Sequence, residues 1–273
     1  MKTRIIVALS LLPLLLVIVL ACPVWATALL VAAMSVVAVF EFLHTTGFVR
    51  HNRILVYSMA MAVFVVACSY FGADRLVFAS AAFIYFMLLF LELLAAHAQL
   101  SFAAVGLAAF SAIVVPYAFS ALVRILSMEH GRFLIIVSFI LAFTADSGAY
   151  FAGRFFGRHK LAPVISPKKT VEGLVGGVIS CVIFMVIYSL VLRFCFDFKV
   201  SYFAAVIYGI VGSLASVVGD LVFSVAKRQT GIKDYGKLMP GHGGVLDRFD
   251  STVVVAPLTE LLLLLIPILE VAA

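Results

Sequence analysis

Long apolar runs constrain this chain more than any other feature, because stretches of about 20 Leu, Val, Ala, Ile and Phe residues recur along it. Hydrophobic residues make up 65% of the 273 residues and charged residues only 12%, whereas a soluble domain is about a quarter charged. The runs are continuous, while the strands of a membrane β-barrel alternate in polarity over about 10 residues. The sequence therefore predicts an all-α, polytopic membrane protein.

About nine transmembrane helices are predicted, with breaks where charged residues, Pro or Gly accumulate. They cover residues 5–21, 25–43, 54–71, 76–96, 100–123, 133–152, 173–192, 202–223 and 252–270. The first run follows Lys2 and Arg4 and resembles a signal sequence. We expect it to remain as an uncleaved helix, because eight further spans already anchor the chain.

The distribution of Lys and Arg sets the expected orientation. If the N-terminus is inside, fourteen of the 19 Lys and Arg residues fall in inside segments and five fall outside. The positive-inside rule then predicts a cytoplasmic N-terminus and a C-terminus on the other side. The two loops richest in polar residues, 153–172 and 224–251, both fall on the cytoplasmic side, where we expect them to form one site. Nucleic acid is not an expected partner despite the net charge of +6, because no basic soluble module is present.

Polar residues are distributed unevenly between the two halves of the chain. The spans up to about residue 123 show no polar pattern that indicates a chemical function, and nearly all unusual polar residues follow residue 133. The sequence therefore predicts an N-terminal transmembrane scaffold (1–130) and a C-terminal catalytic half (131–273). The four cysteines lie in or beside apolar segments without a CxxC pair, so we expect buried hydrophobic residues rather than disulfides or zinc ligands.

The first polar stretch is DSGAYFAGRFFGRHKLAPVISPKKTVEG, residues 146–173. Its Lys168 and Lys169 precede a predicted helix start at Thr170, where ammonium groups and free backbone N–H groups together favour phosphate. Asp146 lies near the inner end of the sixth predicted span. The alternative for the two lysines is a positive-inside anchor beside a Gly-rich helix-packing face.

The second polar stretch is GDLVFSVAKR, residues 219–228. Asp220 lies at the end of an apolar span, where an ionisable group is costly and usually functional. At helical spacing Asp220, Ser224 and Lys227 share one face, which leads from the membrane into the basic loop. The alternative is a helix-surface pair of Asp220 with Lys227, although two helical turns are too far for a direct bridge.

The third polar stretch is KDYGKLMPGHGGVLDRFD, residues 233–250. Gly243 and Gly244 allow the backbone to approach a ligand closely. Asp247 and Asp250 are three residues apart, on one face if a helix begins there. Two alternatives stay open: Asp250 either assists at the site or caps the last helix, and His242 either supports the loop or contacts phosphate.

Together these stretches combine carboxylates with cations. Asp146, Asp220, Asp247 and Asp250 offer hard oxygen ligands, and Mg²⁺ typically uses one or two carboxylates plus substrate phosphates. The cations suited to phosphate are Lys168, Lys169, Lys227, Arg228, Lys233 and Arg248. This combination favours phosphoryl or nucleotidyl transfer. The sequence contains no Walker A, GxSxG or HExxH motif, so it offers no support for those chemistries.

The segment SVAKRQTGIKDYGKLMPGHGGVLDRFDS, residues 224–251, resembles the signature of the phosphatidate cytidylyltransferase (CDP-diacylglycerol synthase) family. The segments DSGAYFAGRFFG and SPKKTVEG resemble that family too. The resemblance implies that CTP and phosphatidic acid give CDP-diacylglycerol and pyrophosphate, with one or two Mg²⁺ ions, at a bacterial-type inner membrane. A homodimer is left open.

The resemblance and the residue chemistry together assign roles to individual positions. Asp220 and Asp247 are the expected metal ligands, joined by Asp250 or Asp146. The expected catalytic residues are Asp220, Asp247, Lys227, Arg248 and Asp250. The residues expected to contact phosphates are Lys168, Lys169, Lys227, Arg228, Lys233, His242, Gly243 and Gly244.

Three other functions are less well supported by the sequence. A secondary transporter would use an intramembrane carboxylate such as Asp220, but it would show interrupted helices in two related halves. A CDP-alcohol phosphatidyltransferase would carry closely spaced aspartates with Gly and Ala-Arg, a motif that this sequence lacks. A non-catalytic scaffold would leave the carboxylates and cations on one side of the membrane unexplained.

Overall fold

The computed structural model describes residues 13, 15–239 and 243–269, and most of these residues are helical. Residues 15–21 are helical, and the following elements are α1 (Val24–Phe40) with a π-helical turn (Glu41–Thr45), α2 (Asn52–Phe71), α3 (Arg75–Ala95), α4 (Phe102–Leu126), α5 (Gly131–Phe156), β1 (Lys160–Ala162), β2 (Ser166–Thr170), α6 (Val171–Phe196), α7 (Tyr202–Gln229), α8 (Leu246–Phe249) and α9 (Thr252–Leu265). The predicted all-α class is confirmed. A small antiparallel hairpin, β1–β2, lies within the predicted loop 153–172 and was not predicted from the sequence.

Seven of the described helices are long and apolar enough to cross a membrane: α1 with its π-helical turn, and α2 to α7. Each lies within a few residues of a predicted span, because the apolar runs end where charged residues, Pro or Gly begin. The predicted span 5–21 lies largely outside the described residues. The predicted span 252–270 contains the 14-residue apolar helix α9. About nine spans is therefore consistent with the described part of the chain.

The chain divides into two compact units. Unit 1 comprises Met1–Arg132 and Gln229–Phe249, and unit 2 comprises Phe133–Arg228 and Asp250–Ala273. The first boundary lies near the predicted one at residue 130. The segment Gln229–Phe249, however, belongs to unit 1 together with the N-terminal helices. The functional division into a scaffold and a catalytic half stays a prediction.

Unit 1 is built on α1, α2 and α4, which pack against one another. Small residues line the contacts, and Ala38, Ala62 and Ala108 are fully buried. Between helices in a bilayer the hydrophobic effect provides no driving force. Small side chains let the helices approach closely and so increase the van der Waals contact that holds them together. Two buried hydroxyl groups of this unit are paired: Tyr85 donates to the Ala108 carbonyl at 3.1 Å, and its hydroxyl lies 2.8 Å from Ser58 Oγ.

In unit 2 glycines hold α5 against α6. A Cβ atom at Gly148 would overlap Ser180 and would lie 2.9 Å from the Gly176 carbonyl oxygen. A Cβ atom at Gly177 would lie 2.9 Å from the Ala145 carbonyl oxygen. These positions therefore require glycine because one helix backbone passes directly over the other. This contact fixes the start of α6, where the predicted phosphate-binding lysines lie.

Replacing Gly148 by alanine is expected to lower the thermal stability of the detergent-solubilised protein. The added methyl group overpacks the α5–α6 contact, which costs about 1–3 kcal/mol in well-packed cores. Melting followed by circular dichroism measures the change. The matched control is Gly106→Ala in α4, since a Cβ atom there meets nothing within 4 Å. A Gly148→Ala protein that melts at or above the wild-type temperature would contradict this account of the helix contact.

Candidate active site

The last turns of α7 carry the second polar stretch. At 28 residues this helix is longer than the roughly 20 residues that a bilayer core requires. The Ser224 hydroxyl donates to Asp220 Oδ1 at 3.0 Å, one turn apart, as expected for residues that share a helix face. Lys227 lies a turn further on and is buried. The sequence prediction that this face is polar is thus confirmed for Asp220 and Ser224.

Lys169 is the ionic partner of Asp220. The Lys169 Nζ atom is buried and lies 2.7 Å from Asp220 Oδ2. Lys169 occupies strand β2, one residue before the N-cap of α6, where Thr170 Oγ1 accepts a hydrogen bond from Gly173 N at 3.1 Å. The predicted helix start at Thr170 is therefore confirmed. The hairpin aims the lysine at the side of α7, which a flexible loop would not do.

Asp250 lies between α8 and α9 and is 7% exposed. The pKa of this carboxyl is raised to about 7, mainly by burial and also by the negative charges of Asp220 and Asp146, whereas Lys227 opposes the shift. The Ser216 hydroxyl lies 3.5 Å from Asp146 Oδ1. We call Asp146, Asp220 and Asp250 the acidic cluster. Its carboxylates repel one another, so the cluster favours a cation.

A cavity of about 220 Å³ opens beside the acidic cluster within unit 2. Its polar lining residues are Asp146, Lys168, Lys169, Thr170 and Asp220, and its other lining residues include Tyr150, Gly173 and Leu174. Lys168 is exposed, whereas Lys169 is half-buried. The cavity thus places two ammonium groups and two carboxylates around one space at the N-terminal end of α6.

The hairpin that carries the lysines is fixed at both ends. The Glu172 carboxylate accepts backbone hydrogen bonds from Arg158 at 3.1 Å and His159 at 3.2 Å, and it lies 2.6 Å from His159 Nδ1. Arg228 Nε donates to the Ile165 carbonyl at 3.1 Å. Arg228, which was predicted to contact phosphate, therefore ties the end of α7 to the hairpin turn in this structure.

Asp247 lies in unit 1, where the loop after α7 folds around it. Its Oδ2 atom accepts backbone hydrogen bonds from Tyr235 at 2.7 Å and from Gly244 at 2.9 Å. Gly243 adopts a φ of +89°, and a Cβ atom there would lie 2.6 Å from the same carboxylate oxygen. The positive φ and this close approach explain why glycine precedes α8. Asp247 is 8% exposed.

Glu41 is a buried carboxylate that the sequence analysis missed. It lies at the start of the π-helical turn after α1 and is 4% exposed. It contacts the backbone just before Asp247, at Val245 and Leu246. The signal was present in the sequence, because an acidic residue within an apolar run is costly and therefore usually functional. Because the surrounding spans are otherwise strongly apolar, no functional residue was predicted in the N-terminal half.

Apart from Arg228, the predicted site residues fall into three groups. Within unit 2 the structure brings together Asp146, Lys168, Lys169, Asp220, Lys227 and Asp250. Within unit 1 it brings together Gly243, Gly244 and Asp247, while Lys233 and Arg248 are exposed. Pro240, Gly241 and His242 lie outside the described residues, so the two readings of His242 stay open.

The described residues contain no preformed group of three or more His, Cys, Asp and Glu side chains that could hold a metal ion. The donor chemistry of the acidic cluster nevertheless fits magnesium. Mg²⁺ prefers oxygen ligands and commonly takes only one or two carboxylates, with substrate phosphates and water completing its shell. The pKa of Asp250 is raised mainly by burial, and the negative charges of Asp220 and Asp146, which a divalent cation would offset, add to the rise.

Comparison with known proteins places this geometry in context. The family model described as "Cytidylyltransferase family" matches residues 2–266. A Staphylococcus saprophyticus protein named phosphatidate cytidylyltransferase is 43% identical over 136 residues, which cover 50% of this chain and 51% of that protein. Proteins of the same name from Staphylococcus haemolyticus and Staphylococcus aureus are 42% identical over 134 residues and 40% identical over 136 residues. The chain spans about half the length of the curated relatives that it matches.

Proposed function

The chain belongs to the cytidylyltransferase family, and from that premise we propose that it is an integral-membrane phosphatidate cytidylyltransferase. The reaction joins CTP and phosphatidic acid to give CDP-diacylglycerol and pyrophosphate. The single observation that supports it best is the cavity of unit 2, where Lys168 and Lys169 face Asp220 and Asp146. Cations for phosphate beside carboxylates for a metal ion are what a nucleotidyl transfer requires.

The proposed chemistry needs little acid–base assistance. A phosphate oxygen of phosphatidate attacks the α-phosphorus of CTP, and the bond from that phosphorus to the bridging oxygen of the β-phosphate breaks. Pyrophosphate departs with the electron pair. A phosphate monoester has its second pKa near 6, so the nucleophile is already mostly ionised at neutral pH. The activation barrier comes mainly from bringing the anionic substrates together. The main task of the lysines is therefore to neutralise phosphate charge.

Lys169 has the geometry for this electrostatic role. Its ammonium group is buried at the N-terminal end of α6, where backbone N–H groups add to the positive potential. Burial strengthens its interaction with an incoming phosphate, because the local dielectric constant is lower than in water. Its charge is balanced by the Asp220 carboxylate at 2.7 Å. Lys168 lines the same cavity from an exposed position and is suited to the nucleotide phosphates.

Magnesium is the proposed cofactor, and it would neutralise phosphate charge when bound. Asp220 and Asp247 are the residues proposed to hold it, with Asp250 or Asp146, and this assignment comes from their positions in the signature sequence. Arg248, Lys227 and Lys233 are proposed to balance further phosphate charge. Gly243 and Gly244 keep the loop backbone free of side chains where it passes Asp247.

The membrane setting suits the two substrates. Seven described helices are long enough to span a bilayer, so the chain is a multi-pass membrane protein, and its bacterial relatives are named phosphatidate cytidylyltransferase. We place it in a bacterial inner membrane with the polar loops on the cytoplasmic side, because most Lys and Arg residues lie there in that orientation. The lipid headgroup would then approach from the leaflet and CTP from the water.

Purified protein is expected to release pyrophosphate and form a CDP-lipid when given CTP, phosphatidate and Mg²⁺. A coupled pyrophosphate assay and lipid mass spectrometry measure both products from one reaction. Omitting phosphatidate should remove both signals, which separates transfer from simple CTP hydrolysis. Folded, monodisperse protein that forms neither product under these conditions would refute the proposed function.

A further inference from the structure

Glu41 lies inside unit 1 at the point where α1 turns into a π-helical segment. Its two carboxylate oxygens accept hydrogen bonds from consecutive backbone N–H groups, Oε1 from Val245 at 3.0 Å and Oε2 from Leu246 at 2.9 Å. Single π-helical turns within helices frequently accompany functional sites. The carboxylate therefore reaches from the first long helix to a segment more than 200 residues away in sequence.

The segment around Asp247 leaves space for the Glu41 carboxylate. Cβ atoms at Gly236 and Gly244 would both collide with Glu41, and at Gly244 the three nearest atoms all belong to the Glu41 carboxylate. Both glycines therefore leave room for one side chain. Phe42 adds an aromatic contact to the same segment, with its ring centroid 6.1 Å from that of the fully buried Tyr235.

The backbone N–H groups that bind Glu41 lie beside those that bind Asp247. Asp247 Oδ2 accepts from Tyr235 N and Gly244 N, and both donors lie next to residues that contact the π-helical turn. Val245 and Leu246, which donate to Glu41, immediately precede Asp247. Removing the carboxylate would release this backbone and leave two buried N–H groups without their acceptor, which destabilises the loop around Asp247.

We propose that Glu41 is a positioning residue that holds the Asp247 carboxylate in place for the reaction. It does so through the backbone of residues 244–246 and does not itself touch substrate. The proposal rests on the proposed function, in which Asp247 binds metal. It extends that function to a residue far outside the signature sequence and assigns a task to the N-terminal helices.

The test is Glu41→Gln, which keeps the size of the side chain but offers only one acceptor oxygen. Its amide NH₂ group is itself a donor and would face one of the two backbone N–H groups, so one of the two hydrogen bonds would be lost. Partners that orient metal ligands typically contribute 10- to 100-fold in metal affinity or activity, so we expect the Mg²⁺ concentration for half-maximal activity to rise by about ten-fold or more. Hydrogen–deuterium exchange of peptides covering residues 235–247 should increase in the absence of metal and substrate.

The matched control is Glu92→Gln, which alters another buried carboxylate of unit 1. Glu92 is 8% exposed and is held by His51 at 2.8 Å, by Arg53 at 3.4 Å and by Tyr57 at 3.5 Å. It should lower the melting temperature without changing the Mg²⁺ dependence or the exchange of residues 235–247. If Glu41→Gln loses only melting temperature and keeps its Mg²⁺ dependence, the residue is merely structural and the proposal is wrong.

A double substitution provides an independent test that does not depend on the severity of Glu41→Gln. Gly244→Ala alone should impair the enzyme because the new Cβ displaces the carboxylate. In a Glu41→Ala background that space is vacant, so Gly244→Ala should add little further loss. Additive losses would contradict the proposed contact.

Wild-type protein assayed in parallel separates the two proposals. An inactive wild-type protein would refute the proposed function. An active wild-type protein with an unaffected Glu41→Gln variant would refute only the positioning role.

Discussion

Asp247→Asn is expected to lower the rate of CDP-lipid formation by about 10³-fold, which corresponds to about 4 kcal/mol of transition-state stabilisation. Asparagine has nearly the same shape, and its side-chain oxygen can still accept from Tyr235 N and Gly244 N, so the loop fold should persist. What is lost is the negative charge. A carboxylate that holds a divalent cation cannot be replaced by a neutral amide without losing most of the metal affinity.

Initial rates of pyrophosphate release at saturating CTP and over a wide Mg²⁺ range measure this loss. Asp197→Asn is the matched control, because Asp197 is exposed at the end of α6 and its φ of 57° is one that asparagine also tolerates. That variant should remain as active as the wild type. An Asp247→Asn protein that keeps more than about a tenth of wild-type activity would remove Asp247 from the metal site.

Lys169→Met is expected to lower kcat/KM by about 10²- to 10³-fold, comparable to the loss of one strong electrostatic donor. Methionine retains much of the aliphatic length of lysine but carries no charge. Without the ammonium group, Asp220 loses its partner at 2.7 Å and faces the other carboxylates of the acidic cluster. An incoming phosphate would then meet a negative surface rather than a buried cation.

Steady-state kinetics with CTP and phosphatidate varied separately measure the effect of Lys169→Met and show which substrate it weakens. Lys160→Met is the control, since Lys160 is an exposed residue of the same hairpin, on strand β1. It should change neither kinetic constant. If the two variants behave alike, Lys169 serves only to anchor the chain at the membrane surface, which was the alternative that its sequence context allowed.

The membrane architecture could be read from sequence because it depends on a one-dimensional property. A span requires about 20 consecutive apolar residues, and each such run stands out against the polar breaks around it. Seven predicted spans correspond to described helices within a few residues. The helix start at Thr170 was predictable for a similar reason, since an N-cap and the residue that it caps are only three positions apart.

The residues after Asp247 show where that local reasoning ends. The spacing of Asp247 and Asp250 suggested one helical face, but helix α8 ends at Phe249 and α9 begins at Thr252, with Asp250 between them. The hairpin β1–β2 was missed because its strands of three and five residues are too short to show a period in the sequence. Arg228 was predicted to contact phosphate, yet its bond to the Ile165 carbonyl depends on how the chain folds back.

By itself, the sequence determined that this is an α-helical membrane protein, and it singled out the carboxylates and cations that we propose for the phosphate chemistry. Only the tertiary structure decided how they are held. It paired Lys169 with Asp220 and buried Asp250 near other carboxylates. It also brought the Glu41 carboxylate within hydrogen-bonding distance of the backbone N–H groups of residues 245–246. The reason is physical: hydropathy and caps are local along the chain, whereas an ion pair or a buried hydrogen bond joins residues that are distant in sequence and meet only after the helices have packed.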